Sequence, residues 1–196
     1  SAIARLLIVE EPFGLVLRPG LSGFQFPDRR IANLSYWVWP ALDALASLTQ
    51  DGIWSRLGGS GLDLLRNARF GPDLPPDWLD LTRGLSIATD YSSRFGYDAI
   101  RIPLYLVWGG RETDVLLAPF VRHWSRDPIP AWTDLIGGGE GGAPAPTGMA
   151  AVAELVRARF EGRPAQFPCL TERDGYYSGT LLLLARLAEK EATDPA

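Results

Sequence analysis

The sequence predicts an all-α fold built as two layers of helices in a toroid. About six segments place apolar residues at helical spacing. The order of segments shows no strand–helix–strand alternation of the kind that builds parallel sheets. Helices predicted at 98–109 and 176–188 are apolar nearly all round, as expected for an inner layer of helices. An irregular helical bundle is the alternative that this pattern leaves open.

Length and composition limit the classes of function. The chain has 196 residues, enough for one domain with a sizeable core. Its net charge is −4 and no Lys/Arg cluster is present, so we expect no nucleic-acid partner. One cysteine and one histidine exclude an internal disulfide and a multi-histidine metal site. No apolar run reaches the length of a membrane span, so none is predicted.

The first segments combine a helix end, a broken stretch and a new helix. Residues 1–9 are typical of the end of a helix. Residues 12–32 are interrupted by Pro and Gly and predict a loop or short hairpin. A helix then follows from a cap at Asn33 or Ser35, and it tolerates Pro40 only in its first turn or at a kink.

The middle of the chain predicts a second helix and two connections. This helix covers 60–71, with Ser60 as its cap and Gly71 at its end. Residues 72–81 form a Pro-rich turn, and residues 84–96 form a connection.

The remaining chain is mainly helical after the apolar helix at 98–109. Further helices are predicted at 112–126, 147–160 and 176–192, with a flexible Gly-rich surface loop over 136–146. The loop lacks the Gly-Lys-Ser/Thr ending of a phosphate-binding loop, and no strand precedes it.

An acid and a base stand at the start of the apolar helix. Asp98 opens it and Arg101 follows one turn later. Asp is a favoured helix N-cap, and an arginine three residues on can form an ion pair with it. Taken alone, this pattern favours a structural role for Asp98 over a catalytic one.

Five stretches resemble one enzyme family, and they occur in the same order. They are RPGLSGF (18–24), NLSYWVWPAL (33–42), LPPDWL (74–79), GYDAIRIPLYLVW (96–108) and YYSGTLLLLA (176–185). The chain resembles glycoside hydrolase family 8, above all its bacterial endo-1,4-β-glucanases associated with cellulose synthesis. YDAIR and N-x-S-Y are the specific motifs. The resemblance implies an (α/α)6 barrel, about half of whose helices this chain supplies.

The resemblance also implies a reaction and a base. The family hydrolyses β-glycans with inversion, so one carboxylic acid protonates the leaving oxygen while a carboxylate activates water on the opposite face. Asp98 falls on the general base in YDAIR, and Arg101 would hold its orientation. A cap and a base are compatible roles, because the N–H groups of a helix start favour a carboxylate. The reaction implies no metal and no cofactor.

Five further residues are candidate substrate-binding residues by resemblance. Tyr36 and Tyr97 match tyrosines of the sugar subsite next to the cut bond, and Asn33 orders the turn before Tyr36. Trp78 is either a sugar platform or a packing anchor. Of the two tyrosines that head the last helix, one faces the cleft, and we take Tyr177 for it.

One family motif is absent. The general acid is a Glu in an SEG-x-x-Y-G segment, and neither this segment nor the further essential Asp that follows it occurs here. We therefore expect residues 1–196 to be the C-terminal portion of one catalytic domain, inactive without the N-terminal portion that carries the acid. The alternatives are a non-catalytic β-glucan-binding remnant and a helical scaffold.

The resemblance leaves the substrate open and implies a location. The expected partner is a β-1,4-linked glucan oligosaccharide or polysaccharide, and family members also cut chitosan, mixed-linkage glucan or xylan. The family works outside the cytoplasm, so we expect a periplasmic or secreted protein.

Overall fold

The described part of the chain contains seven α-helices, one 3-10 turn and nine short strands. This computed structural model describes residues 1–26, 28–142 and 144–193. The helices are α1 (Ala2–Leu7), α2 (Trp39–Thr49), α3 (Ile53–Asn67), α4 (Arg101–Trp108), α5 (Asp114–His123), α6 (Thr147–Glu161) and α7 (Tyr176–Thr193). The 3-10 turn covers Leu34–Tyr36.

The strands are short and pair only antiparallel with one another. They are β1 (Ile8–Glu11), β2 (Gly14–Leu17), β3 (Gln25–Phe26), β4 (Arg29–Ala32), β5 (Leu79–Asp80), β6 (Ser86–Ile87), β7 (Arg94–Phe95), β8 (Trp132–Asp134) and β9 (Glu140–Gly141). Among the described residues they form the hairpin β1-β2, the sheet β3-β4-β5-β6 and the sheet β7-β8-β9.

Helix α4 is the centre of the helical core, as the apolar pattern predicts. It packs against α2, α6 and α7, and the side chains of Ile102, Leu104 and Leu106 are fully buried. The last helix, α7, is buried along one side only. Its Leu182 is buried, whereas Leu183 is 65% exposed.

The stretch 12–32, predicted as a loop or short hairpin, contains strands β2, β3 and β4, whereas β1 begins in the stretch predicted as the end of a helix. The first helix ends at Leu7, two residues earlier than predicted, because Ile8 begins strand β1. Strands β1 and β2 pair from Ile8↔Leu17 to Glu11↔Gly14. Gly14 has φ +101° at this tight turn, a conformation that side chains disfavour.

Helix α3 begins at Ile53, so the predicted start at Ser60 is wrong. Ser60 lies inside the helix, and its hydroxyl accepts the N–H of Leu15 at 3.0 Å. From the sequence alone, the glycines around Ser60 indicate a break in the helix. In the structure they lie inside the helix, and two of them are packing positions. A Cβ on Gly61 would lie 2.2 Å from Cδ1 of the buried Trp37. The glycine therefore lets the helix approach the indole.

The short strands hold the segment that leads into α4. Strand β7 pairs with β8 through Phe95↔Thr133, inside the stretch predicted as a connection. Strand β9 lies within the predicted Gly-rich loop, whose Ala143 is outside the described residues. Pro40 lies in the first turn of α2, as required. No helix in the described residues is long and apolar enough to cross a membrane.

Candidate active site

Asp98 lies in the turn between β7 and α4, and its side chain is 30% exposed. It therefore reaches solvent beside the buried residues Ala99 and Ile100. The N-cap of α4 is Ile100, which makes no side-chain cap hydrogen bond. The prediction that Asp98 caps this helix is wrong, and its carboxylate is not occupied by the backbone N–H groups of the helix.

Asp77, and not Asp98, binds the backbone N–H groups of the turn that leads into α4. Its Oδ1 accepts the N–H groups of Gly96, Asp98 and Ala99 at 3.1, 3.1 and 2.7 Å. Burial raises the pKa of this carboxyl to about 6, against the opposing hydrogen bond from Ala99, and the charge of Asp98 adds to the rise. Sequence reasoning missed Asp77, because only its neighbour Trp78 was considered in the Pro-rich turn.

Arg101 connects Asp98 to the 3-10 turn. Its Nη2 forms an ion pair with Asp98 Oδ1 and donates a hydrogen bond to Ser35 Oγ at 2.9 Å. The Ser35 hydroxyl donates in turn to Asn33 Oδ1 at 2.7 Å. The carboxylate is thus fixed through one of its oxygens by a chain of polar contacts. Ser35 was considered only as a helix cap, and its link to Arg101 was missed.

Asn33 and Tyr36 occupy the two ends of the 3-10 turn. Asn33 is fully buried, and its Oδ1 also accepts the N–H of Ser35 at 2.9 Å. The Tyr36 ring lies 5.9 Å from the guanidinium carbon of Arg101. Burial raises the pKa of Tyr36, the charge of Asp98 raises it too, and Arg101 opposes the rise. The phenol therefore stays protonated beside the carboxylate.

Tyr97 and Tyr177 form a second group next to Asp98. The Tyr177 hydroxyl donates to the carbonyl of Tyr97 at 2.6 Å, and the ring centroids are 5.8 Å apart. Burial raises the pKa of Tyr177. Both tyrosines line an open pocket of about 530 Å³, together with Arg173 and Asp174. The neighbouring Tyr176 is almost fully exposed.

Trp78 belongs to an aromatic cluster at the edge of the site. Its ring is stacked with Phe24 at 5.6 Å and with Tyr91 at 4.7 Å, and it meets Tyr36 edge-on at 6.3 Å. These contacts are those of a packing anchor. A direct contact between Trp78 and a sugar stays a prediction.

Two glutamates form ion pairs away from Asp98. Glu154 is buried and pairs with Arg157 and Arg163. Glu140 pairs with Arg126. Within the described residues, no three His, Cys, Asp or Glu side chains form a group able to hold a metal ion.

Helices packed around a buried central helix agree with the helical architecture that the resemblance implies. The family model described as Glycosyl hydrolases family 8 matches residues 1–191. The chain belongs to glycoside hydrolase family 8.

Named relatives agree with the family. The chain is 40% identical over 186 residues to a probable endoglucanase of Novacetimonas hansenii, and the match covers 91% of this chain and 54% of that protein. It is 34% identical over 164 residues to an endoglucanase of Cellulomonas uda, which covers 81% of this chain and 44% of that protein. The chain thus spans about half the length of these relatives.

A solved structure extends the comparison to the fold. The endo-β-1,4-glucanase CMCax from Acetobacter xylinum superposes with a TM-score of 0.88 at 38% identity, over 97% of this chain and 61% of that chain. The solved relatives are (α/α)6 barrels, which confirms the predicted fold class. The chain matches 61% of the length of CMCax.

Proposed function

We propose that this sequence supplies the part of an inverting endo-β-1,4-glucanase that carries the general base, and that Asp98 is this base. The observation that carries the proposal is the way Asp98 is held. Its carboxylate is partly exposed, while Asp77 binds its backbone and Arg101 binds one of its oxygens. A base fixed in this way can meet a water in one orientation, which is what general-base catalysis requires.

We propose separate tasks for the two oxygens of the Asp98 carboxylate. Arg101 engages Oδ1, so Oδ2 is the atom that takes the proton of the attacking water. The Tyr36 ring lies 5.9 Å from the guanidinium carbon of Arg101, which binds Asp98, and Tyr97 precedes Asp98 in the sequence. We propose that these two tyrosines and Tyr177 bind the sugar at the cut bond. Asn33 orders the turn that carries Tyr36.

We propose that the general acid comes from a part of the protein outside this sequence. Inversion needs a second carboxyl group roughly 6.5–9.5 Å from the base. Asp77 cannot serve, because it is buried and its Oδ1 is occupied by three N–H groups. The family's acid motif is absent from this sequence. This chain covers 61% of the CMCax chain. Sequencing the reading frame around the gene tests this, since an SEG-x-x-Y-G segment is expected.

The stereochemistry of the product tests the proposed reaction. Cellopentaose is incubated with the full-length protein, and the new reducing end is followed by proton NMR. The α-anomer is expected first, because inversion at a β-linkage yields the α-configuration. Immediate formation of the β-anomer, or no cleavage, would overturn the proposal. Parallel assays on chitosan, mixed-linkage glucan and xylan rank the substrates.

The absent acid motif favours one second candidate, a non-catalytic β-glucan-binding protein. It retains the tyrosines and Asp98 but lacks leaving-group protonation. Calorimetric titration with cellohexaose separates the candidates when combined with the NMR assay. Binding without cleavage supports the second candidate, whereas neither binding nor cleavage indicates a helical scaffold. Because polymeric β-glucan lies outside the cytoplasm, we also propose a periplasmic or secreted location, which fractionation of cells would test.

A further inference from the structure

We propose that Asp77 is a positioning residue for the general base. Its buried side chain sets the backbone of residues 96–99 and thereby the direction from which the Asp98 carboxylate meets water. This inference rests on the proposed role of Asp98. It concerns a residue that never touches the substrate and acts through the turn that it binds.

The hydrogen bonds of Asp77 converge on the turn that carries Asp98. The N–H groups of Gly96, Asp98 and Ala99 all donate to the same oxygen, Oδ1. The N–H of Asp77 donates back to the carbonyl of Arg94 at 2.7 Å. Both the side chain and the backbone of Asp77 are therefore bound to one short segment, so a shift of Asp77 moves that segment.

The second oxygen of Asp77 faces Arg94, whose guanidinium group lies near the ring of Tyr97. Asp77 Oδ2 lies 3.6 Å from Arg94 Nε, and the guanidinium carbon of Arg94 lies 5.4 Å from the ring centre of Tyr97. It also lies 5.8 Å from the ring of Trp132. Through Arg94, Asp77 thus supports Tyr97 as well as Asp98.

A buried carboxylate costs more free energy than a neutral acceptor when it binds backbone N–H groups. An asparagine could accept the same hydrogen bonds without a charge, and a buried charge destabilises a fold unless it is paired well. The charged or titratable groups that act on Asp77 are Arg94, Asp98 and Tyr177. Two of these belong to the proposed site, so the charge of Asp77 is placed where it acts on the site.

The test compares three variants in the full-length protein. Asp77→Ala removes the acceptor, and Asp77→Asn keeps an acceptor but removes the charge. Asp80→Asn is the matched control, because Asp80 also accepts a backbone N–H, from Thr82 at 2.8 Å, but lies in strand β5. Each variant is assayed for kcat and KM on cellopentaose and for hydrogen exchange of the segment 94–101.

Asp77→Ala is expected to lower kcat about 100-fold with little change in KM, because misplacing a reacting group affects the transition state. Amides of Gly96, Asp98 and Ala99 are expected to lose protection from exchange, while those of α5 keep theirs. Asp80→Asn is expected to match the wild type. Unchanged protection of the three amides, or a loss of kcat no larger than the unfolded fraction, would overturn the inference.

The pH profile of Asp77→Asn gives a readout that a merely structural role does not move. The kcat/KM of the wild type is expected to rise as pH passes through about 6, where Asp77 becomes charged, and Asp77→Asn is expected to lack this step. A wild-type profile without the step, or a step that Asp77→Asn retains, contradicts the inference. If the amides lose protection in Asp77→Ala while Asp98→Asn keeps full activity, the proposed base is wrong, and only the structural hold of Asp77 on the turn stands.

Discussion

Two aspartates divide the tasks that one was expected to combine. A capping carboxylate has its oxygens engaged by backbone N–H groups and has little capacity left for chemistry. In this chain Asp77 binds the N–H groups of the turn, and Asp98 is held from the side by Arg101. Asp98 therefore keeps an oxygen available to water, which is the property that the proposed base needs.

Contacts within one helical turn were predictable, and contacts between distant segments were not. Asp98 and Arg101 are three residues apart, so helical geometry alone indicates that they meet. Asp77 reaches Asp98 across 21 residues, and Ser35 reaches Arg101 across 66. No local periodicity reports such contacts, because they depend on how the turns pack in the complete fold.

The charge of Asp77 predicts a pH-dependent stability. The folded-state pKa is raised from 3.8 to about 6, so the folded protein binds this proton more tightly than the unfolded chain does. The stability contributed by Asp77 is full below about pH 4 and is lost as pH rises through about 6. The rise corresponds to roughly 3 kcal/mol in the free energy of unfolding.

Asp77→Asn cannot titrate, so this dependence should vanish in the variant. Relative to the wild type, its free energy of unfolding is expected to increase between pH 4 and pH 7 by up to roughly 3 kcal/mol. Denaturant unfolding of both full-length proteins at several pH values measures the difference. A difference that is constant with pH would show that the pKa of Asp77 is not raised in the folded protein.

At the scale of elements, long helices were predicted well and short strands were not. The last two helices have clear apolar spacing, and their predicted bounds agree with α6 and α7 to within a residue. All nine described strands have only two to four residues, too few to establish an alternating pattern. The start of α3 was missed because Gly58, Gly59 and Gly61 indicate a break, although two of them are packing positions.

Two glycines of α3 give a matched pair of substitutions. Gly61→Ala places a Cβ against the buried indole of Trp37, whose Nε1 donates to the carbonyl of Leu57 at 3.0 Å. It is expected to lower the free energy of unfolding by about 1–3 kcal/mol. Gly59→Ala meets no atom within 4 Å and is expected to stabilise the helix by about 0.5–1 kcal/mol.

Thermal unfolding of the two full-length variants measures both effects. Because Trp37 follows the 3-10 turn, Gly61→Ala should also lower activity, whereas Gly59→Ala should not. Equal stability of the two variants would contradict the close approach of α3 to Trp37.

At the scale of the molecule, α7 exposes apolar side chains that affect whether the chain associates. Leu183 is 65% exposed and Leu187 is 40% exposed on a helix whose opposite side is buried. Exposed apolar side chains on one helix favour association. If the full-length enzyme has further helices of the barrel, as proposed, we expect them to cover this face of α7.

Residues 1–196 produced alone are therefore expected to self-associate and to lack activity on carboxymethyl-cellulose. Light scattering should give a mass above the 21.5 kDa of one chain. The full-length protein is the control, expected to be active and free of this association. A monomeric chain 1–196 that unfolds cooperatively and cuts β-glucan would refute the proposed division of the active site.

The most direct test of the central claim is the activity of Asp98→Asn in the full-length protein. Release of reducing ends from carboxymethyl-cellulose is expected to fall by about 10²–10⁴-fold, because general-base help is lost. Cellohexaose binding and thermal stability should stay near those of the wild type, and Asp80→Asn should keep full activity. If Asp98→Asn hydrolyses the polymer at the wild-type rate, Asp98 is not the base, and the account of this site is contradicted.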